Sequence, residues 1–153
     1  MKLYQIKKDD LNNIKSLLRE IKNTYQTSHP CTMKLIAFNI FNYHKEEKNV
    51  EISEAFMVTN LCSEGNLTTF IKKISEGKNS NKKQRKKEKN QKGLTADPTA
   101  FTIIVYGIAR GLRYVHNLKI KHRDLKPDNI FIDHLLYPHI GDFGESKQHQ
   151  QIT

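Results

Sequence analysis

The sequence predicts an α+β fold, on three observations. Short apolar runs near both ends read as strands. Two stretches carry apolar residues at the three-to-four-residue interval of a helix. The elements come in blocks (strand, helix, strands, helices, small hairpin) rather than in the alternation that builds a parallel sheet. A polar, Lys/Asn/Gln-rich stretch over residues 76–98 divides the chain into two mixed parts, 1–75 and 99–153.

Each element follows from its residues. Lys2 to Lys8 contains Leu3, Tyr4 and Ile6 and is a short strand. Asp10 can cap a helix whose apolar stripe is Leu11, Ile14, Leu17, Leu18 and Ile21. His29-Pro30 ends it, because a residue before proline is pushed out of the helical region. Met33–Phe41 and Glu51–Leu61 are strands joined by a polar turn over Tyr43–Asn49, and Leu67–Ile74 is a short helix. After the polar stretch, Phe101, Ile104, Val105, Ile108, Leu112 and Val115 define a strong helix over 99–117. Gly107 and Gly111, four apart, permit close packing on that helix at some intrinsic cost. Ile120–Leu125, Asn129–Asp133 and His139–Asp142 complete the chain as short strands around tight turns.

Composition narrows the class. The 153 residues suit one domain, and 37% hydrophobic with 27% charged is not the profile of a disordered chain. A net charge of +10 suggests a binder of nucleic acid or membrane surface. Lys78–Lys92, however, holds eight basic residues and one acidic, which leaves only +3 on everything else. No aromatic residue interleaves with that run, so nucleic-acid binding is not expected; a solvated loop or a localisation signal is. No apolar stretch approaches the ~20 residues that span a bilayer. MKLYQIKKDD has no apolar core of a secretory signal. Two cysteines cannot build a disulfide scaffold or a four-cysteine zinc site, and an intracellular, reducing compartment, cytoplasmic or nuclear, is the expectation.

One run stands apart: His122-Arg123-Asp124-Leu125-Lys126-Pro127-Asp128-Asn129, followed thirteen residues after Asn129 by Asp142-Phe143-Gly144. On these residues the chain resembles the eukaryotic protein kinases, with the H-R-D-L-x-x-x-N catalytic loop and the D-F-G motif in order. The resemblance implies ATP and Mg²⁺ as cofactors and a protein Ser/Thr hydroxyl as acceptor. Asp124 would accept or orient the hydroxyl proton. Lys126 would neutralise charge on the γ-phosphate and favours a Ser/Thr rather than a tyrosine kinase. Asn129 and Asp142 would hold the metal. Lys7, with Lys8 as the competing choice, resembles the strand lysine that pairs with a helix glutamate, here Glu20. Phe56–Leu67 resembles the hinge between lobes, with Thr59 at the gatekeeper position and the backbones of Asn60 and Cys62 on the adenine edge. Asn66 and Phe131 complete the nucleotide site. Thr24, Leu35, His122 and Phe143 fall where the family stacks an apolar spine. Thr24 departs from its apolar rule, which predicts weakened packing there.

The implied organisation is a partial two-lobed kinase domain: 1–58 part of the small lobe, 59–66 the hinge, 76–98 an insert and 99–153 part of the helical lobe. Six residues precede Lys7 and eleven follow Asp142. The family's Gly-rich loop, its A-P-E motif and its large helical subdomain therefore have no counterpart in the sequence. Gln5 stands where the family places a small alanine. The expectations are an apolar face left open on the 99–117 helix, low stability of the 153-residue chain and reduced catalysis by it. The competing function is a non-catalytic kinase-like module that binds nucleotide or protein.

Overall fold

The computed structural model describes residues 2–7, 11–40, 52–80 and 98–148; the side chains of 2–7, 11, 13, 40, 52–54 and 77–80 lie outside that description. The first unit is a three-stranded antiparallel sheet covered by one helix. Strand β1 (Lys2–Lys7) pairs with β3 (Ile52–Thr59), which pairs in turn with β2 (Leu35–Ile40), giving the order β1-β3-β2. Helix α1 (Leu11–Gln26) lies against this sheet. Part of its predicted stripe faces the sheet: Leu17 and Ile21 are buried with Ala55 and Met57, and Ile14 and Leu35 pack at the margin, whereas Leu18 is 46% exposed. The helix runs to Gln26 and stops before His29-Pro30, as the proline predicts. The expected cap Asp10, Lys8 and the Tyr43–Asn49 turn lie outside the described residues.

From residue 65 on, the second unit is mostly helical. Strand β4 (Gly65–Asn66) leads into α2 (Leu67–Ser80), and α3 (Pro98–Asn117) follows. Two small sheets carry the loops: β4 with β6 (Ile130–Ile132) and β7 (Pro138–Ile140), and β5 (Ile120–Lys121) with β8 (Lys147–Gln148). Phe70, Ile74, Ile104, Ile130 and Ile132 form one core cluster; Val115, Ile120, Ile140 and Phe143 form another. Among the described residues no helix is long and apolar enough to cross a membrane.

Three expectations need correction. Helix α2 does not end at Ile74. It continues through Gly77 to Ser80, so the polar stretch begins as helix rather than as loop. The continuation, Ser75 to Ser80, has no apolar residue in its sequence, so apolar periodicity could not register it. Residues 122–125 form no strand, and a 3₁₀ turn over Pro127–Asn129 carries the end of that loop instead. The 99–117 helix is only half unpartnered. Ile104, Gly107, Gly111 and Val115 are buried, while Val105 and Tyr106 are each 65% exposed.

The two glycines explain the buried half. A Cβ on Gly107 would stand 2.5 Å from Pro138 Cγ, and one on Gly111 would stand 2.8 Å from the Cys31 carbonyl oxygen. Both contacts are closer than a real Cβ tolerates, so α3 sits as near to β7 and to residue 31 as a bare backbone allows. The same seam joins the two units. Met33 N–H donates to Ile140 O at 2.8 Å, and Ile140 N–H donates to Cys31 O at 3.0 Å.

The tight turn between β6 and β7 is built on Asp133. Its Oδ1 accepts the N–H groups of Leu135 and Tyr137, each at 2.9 Å, and Oδ2 lies 3.0 Å from His139 Nε2. Burial pushes this carboxyl up, but the His139 hydrogen bond and the two backbone donors outweigh it and hold the group below the usual carboxylate range. Asp133 therefore contributes stability that is present above its unfolded pKa and is lost as pH falls through the folded value.

Candidate active site

The loop between β5 and β6 is an organised polar cluster. Asp124 is its centre. Lys126 Nζ donates to Asp124 Oδ2 at 2.7 Å, and Asn129 Nδ2 donates both to that oxygen, at 3.0 Å, and to the Asp124 carbonyl, at 2.8 Å. The Lys126 hydrogen bond, more than that of Asn129, holds the Asp124 carboxyl below its ordinary value, against an opposing push from burial. Lys126 is raised in return by its hydrogen bond to Asp124. Asp124 is thus a carboxylate kept ionised and aimed by two donors. Both protons of the Asn129 amide are spent on Asp124, so Oδ1 is what this buried side chain can offer a cation.

His122 sets the loop from beneath. Its Nε2 donates to Gly141 O at 2.8 Å, and its Nδ1 accepts the Asp124 N–H at 3.3 Å. The ring lies 5.0 Å from that of Phe143, tilted by 52°. One imidazole therefore ties the Asp124 loop to the segment that carries Asp142. A second tie is backbone: Gly141 N–H donates to Asn129 O at 2.9 Å. Arg123 and Asp142 both have left-handed backbone, φ 71° and 59°. Such conformations cost energy away from glycine, and two of them beside one polar cluster mark a shape the surroundings enforce.

Lys126→Met removes the main donor to Asp124. We expect the carboxyl to rise toward its ordinary value of ~4. The acid limb of any reaction that uses Asp124 as base should then move to higher pH. A pH–rate profile checks this, and an unmoved limb would show that Asp124 ionisation does not set it.

On the other side, α1 brings Glu20, 4% exposed, toward the same segment. A Cβ on Gly144 would stand 3.6 Å from Asp142 Oδ1 and 3.8 Å from Glu20 Oε2, so the two carboxylates flank that glycine. Lys7 closes β1 opposite Ile52; its side chain lies outside the described residues.

The segment that resembles a hinge makes hydrogen bonds of its own. Asn60 N–H donates to Lys34 O at 3.2 Å, and Asn60 Oδ1 accepts Lys34 N–H at 2.8 Å. Of the Asn60 backbone only the carbonyl is left to meet a ligand edge. Cys62 gives its carbonyl to Gly65 N–H at 3.2 Å, and its Sγ lies 3.7 Å from Met33 Sδ. Burial, with a smaller push from Asp133, raises the Cys62 thiol to about 11, so it is a packed thiol and not a nucleophile. Asn66 is committed to structure: Oδ1 accepts Thr69 N–H at 2.9 Å as the cap of α2, and Nδ2 reaches Asp128 Oδ1 at 3.4 Å. Phe131 sits half-buried in β6, between Asn66 and His139 in register.

Among the spine positions, His122 and Phe143 meet, and Thr24 is buried. The expected cost of its hydroxyl finds no support. Among the described residues no buried side-chain nitrogen or oxygen lacks a hydrogen-bond partner. The sequence reading missed Arg19 and Asn23. Arg19 Nη1 donates to Gly144 O at 3.1 Å, and Asn23 Nδ2 to Ser146 Oγ at 2.6 Å. Their spacing with Ser16 and Glu20 marks one polar face of α1; apart from Glu20, a sequence reads such a face as solvated.

A chain ordered in this way has known relatives. A "Probable receptor-like protein kinase" of Arabidopsis thaliana is 30% identical over 146 residues, covering 94% of this chain and 15% of that protein. A LEAF RUST 10 disease-resistance locus receptor-like protein kinase-like protein of the same plant is also 30% identical over 146 residues, 94% of this chain and 19% of its own length. A G-type lectin S-receptor-like serine/threonine-protein kinase, again from Arabidopsis thaliana, is 48% identical over 64 residues, covering 40% of this chain and 8% of its own. This chain thus spans less than a fifth of the length of these relatives. The protein kinase domain family matches residues 1–153, end to end, and the loop around Asp124 and the glycine flanked by Asp142 and Glu20 are parts of one inherited domain: the chain belongs to the protein kinase domain family.

Proposed function

We propose that the chain contributes the central part of an ATP-dependent Ser/Thr protein kinase, transferring the γ-phosphate of ATP to a protein hydroxyl. The observation that carries this reading is the double hold on Asp124 by Lys126 and Asn129. A carboxylate pinned by two donors keeps its remaining lone pairs pointed outward, as a base for a hydroxyl proton must. Lys126, through its exposed ammonium, stands beside that base to draw in the transferring group. Asn129 Oδ1 and the Asp142 carboxylate are hard oxygen donors of the kind Mg²⁺ takes. Among the described residues no cluster of three or more His, Cys, Asp and Glu forms a metal cage. Two protein oxygens beside substrate phosphates suit a cation that keeps much of its water. Bound Mg²⁺-ATP supplies the phosphoryl group and the neutralisation of its charge.

Lys7 and Glu20 would hold the α/β-phosphates. The Asn60 carbonyl and the Cys62 N–H would meet the adenine edge, with Phe131 against the base. Asn66 has a supporting role in this reading, steadying Asp128 beneath the loop. Protein substrates, an intracellular setting, and no part for nucleic acid complete the proposal.

Titration with ATP tests it. We expect ATP binding to weaken on removal of Mg²⁺, and that dependence to vanish in Asp142→Ala. Binding indifferent to both would overturn the metal assignment. Mg²⁺-ATP binding with no transfer to any Ser/Thr peptide would identify the non-catalytic module instead.

A further inference from the structure

Helix α1 has two working faces. Its apolar face, Leu17 and Ile21, belongs to the sheet. Its polar face, Ser16, Arg19, Glu20 and Asn23, follows the i, i+3, i+4, i+7 spacing of a single stripe and meets the turn after Asp142. Arg19 Nη1 donates to Gly144 O at 3.1 Å. Ser16 Oγ and Glu20 Oε2 lie 3.4 and 3.8 Å from the place of a Gly144 Cβ. Asn23 Nδ2 donates to Ser146 Oγ at 2.6 Å, between side chains 3% and 1% exposed. Ser146 Oγ passes its own proton back to Phe143 O. The hydroxyl is therefore a relay. It accepts from the helix and donates to the residue that follows Asp142.

A packed apolar contact holds two elements over a range of small shifts, whereas a buried hydrogen bond holds them at one distance. Phe143 itself is packed into the second unit, with Val115, Ile120 and Ile140. The Asn23–Ser146 relay is thus a polar joint between α1, which carries Glu20, and a segment anchored elsewhere. A joint of this kind can part without exposing apolar surface.

We propose that Asn23 and Ser146 are positioning residues, which set α1 and so Glu20 against the Asp142 segment through one buried hydrogen bond. The proposal rests on the phosphotransfer reading above. Asn23→Ala and Ser146→Ala, and the two combined, test it in the full-length protein, by transfer kinetics and by amide hydrogen exchange over 142–146. Each single change should lower kcat about tenfold, as misplacement of a reacting group does, with little change in KM for the peptide. The double variant should be no worse than the poorer single one. Ser146→Thr, which keeps the hydroxyl, should retain kcat within about twofold. Exchange over 142–146 should quicken in both single variants. Additive losses, an unchanged kcat, or a kcat that falls only in step with the thermal midpoint would overturn the proposal. If the wild-type protein transfers no phosphate, the phosphotransfer reading fails on its own. Exchange then decides the joint: unchanged protection in Asn23→Ala overturns it, and faster exchange sustains it.

Discussion

Asp124→Asn is expected to lower kcat for phosphate transfer by about a thousandfold, within the range that a positioned general base supplies. The substitution keeps the size and planarity of the side chain and removes its charge. Lys126 and Asn129 both donate to Asp124 Oδ2. An amide can keep both donors on the one oxygen that takes the place of Oδ2, but its NH₂ then stands where the carboxylate held Oδ1. The base is lost while its two holders keep their partner. The KM for ATP should change only a few-fold, because the hydrogen bonds of Asp124 run within its own loop and not toward the hinge. Steady-state kinetics on the full-length protein read both quantities. A loss below about tenfold would mean that Asp124 orients the acceptor without taking its proton.

The second large effect is on stability. Gly107→Ala combined with Gly111→Ala is expected to lower stability by about 3 kcal/mol, which is on the order of 10 °C in thermal midpoint for a domain of this size. Alanine is the better helix former by about 1 kcal/mol per position, so intrinsic propensity alone predicts the opposite sign. Geometry decides between them. The Cβ at 107 would meet the Pro138 ring at 2.5 and 2.8 Å. The Cβ at 111 would meet the Cys31 carbonyl at 2.8 Å and Ile140 Cδ1 at 2.9 Å. A proline ring in a strand and a backbone carbonyl cannot turn aside as the end of a long side chain can. The helix must move, and the bonds of Met33 and Cys31 to Ile140 move with it. Thermal unfolding followed by circular dichroism checks this. A midpoint that stays or rises would show that α3 has more room than the seam allows.

The two glycines also show what sequence can carry. Their four-residue spacing on a strongly periodic helix announced close packing, though not against what. The Asp124 loop was legible because its chemistry needs fixed residue types at fixed spacing. The apolar stripe of α1 was legible because burial imposes period. Where neither constraint acts, the reading stopped. The end of α2, from Ser75 to Ser80, is helix without an apolar pattern to mark it. Strand β8, Lys147–Gln148, is two exposed polar residues whose pairing depends on Ile120 and Lys121, far away in the chain. Arg19 and Asn23 look like a solvated face until the turn at Gly144–Ser146 is brought against them. Asn66 carries a role that the resemblance did not mention: the fold uses it to cap α2 and to reach Asp128.

The seam at Cys31, Gly111 and Ile140 bears on the order in which the chain can fold. Met33 and Ile140 bond across more than a hundred positions of sequence. Contacts of that separation form late, because the intervening chain must give up its freedom before they repay it. During synthesis the first sheet and α1 emerge long before β7 exists, and residues 31–33 wait without their partner. The first unit can gain its own local structure at once, but its junction to the second cannot close until residue 140 has been made.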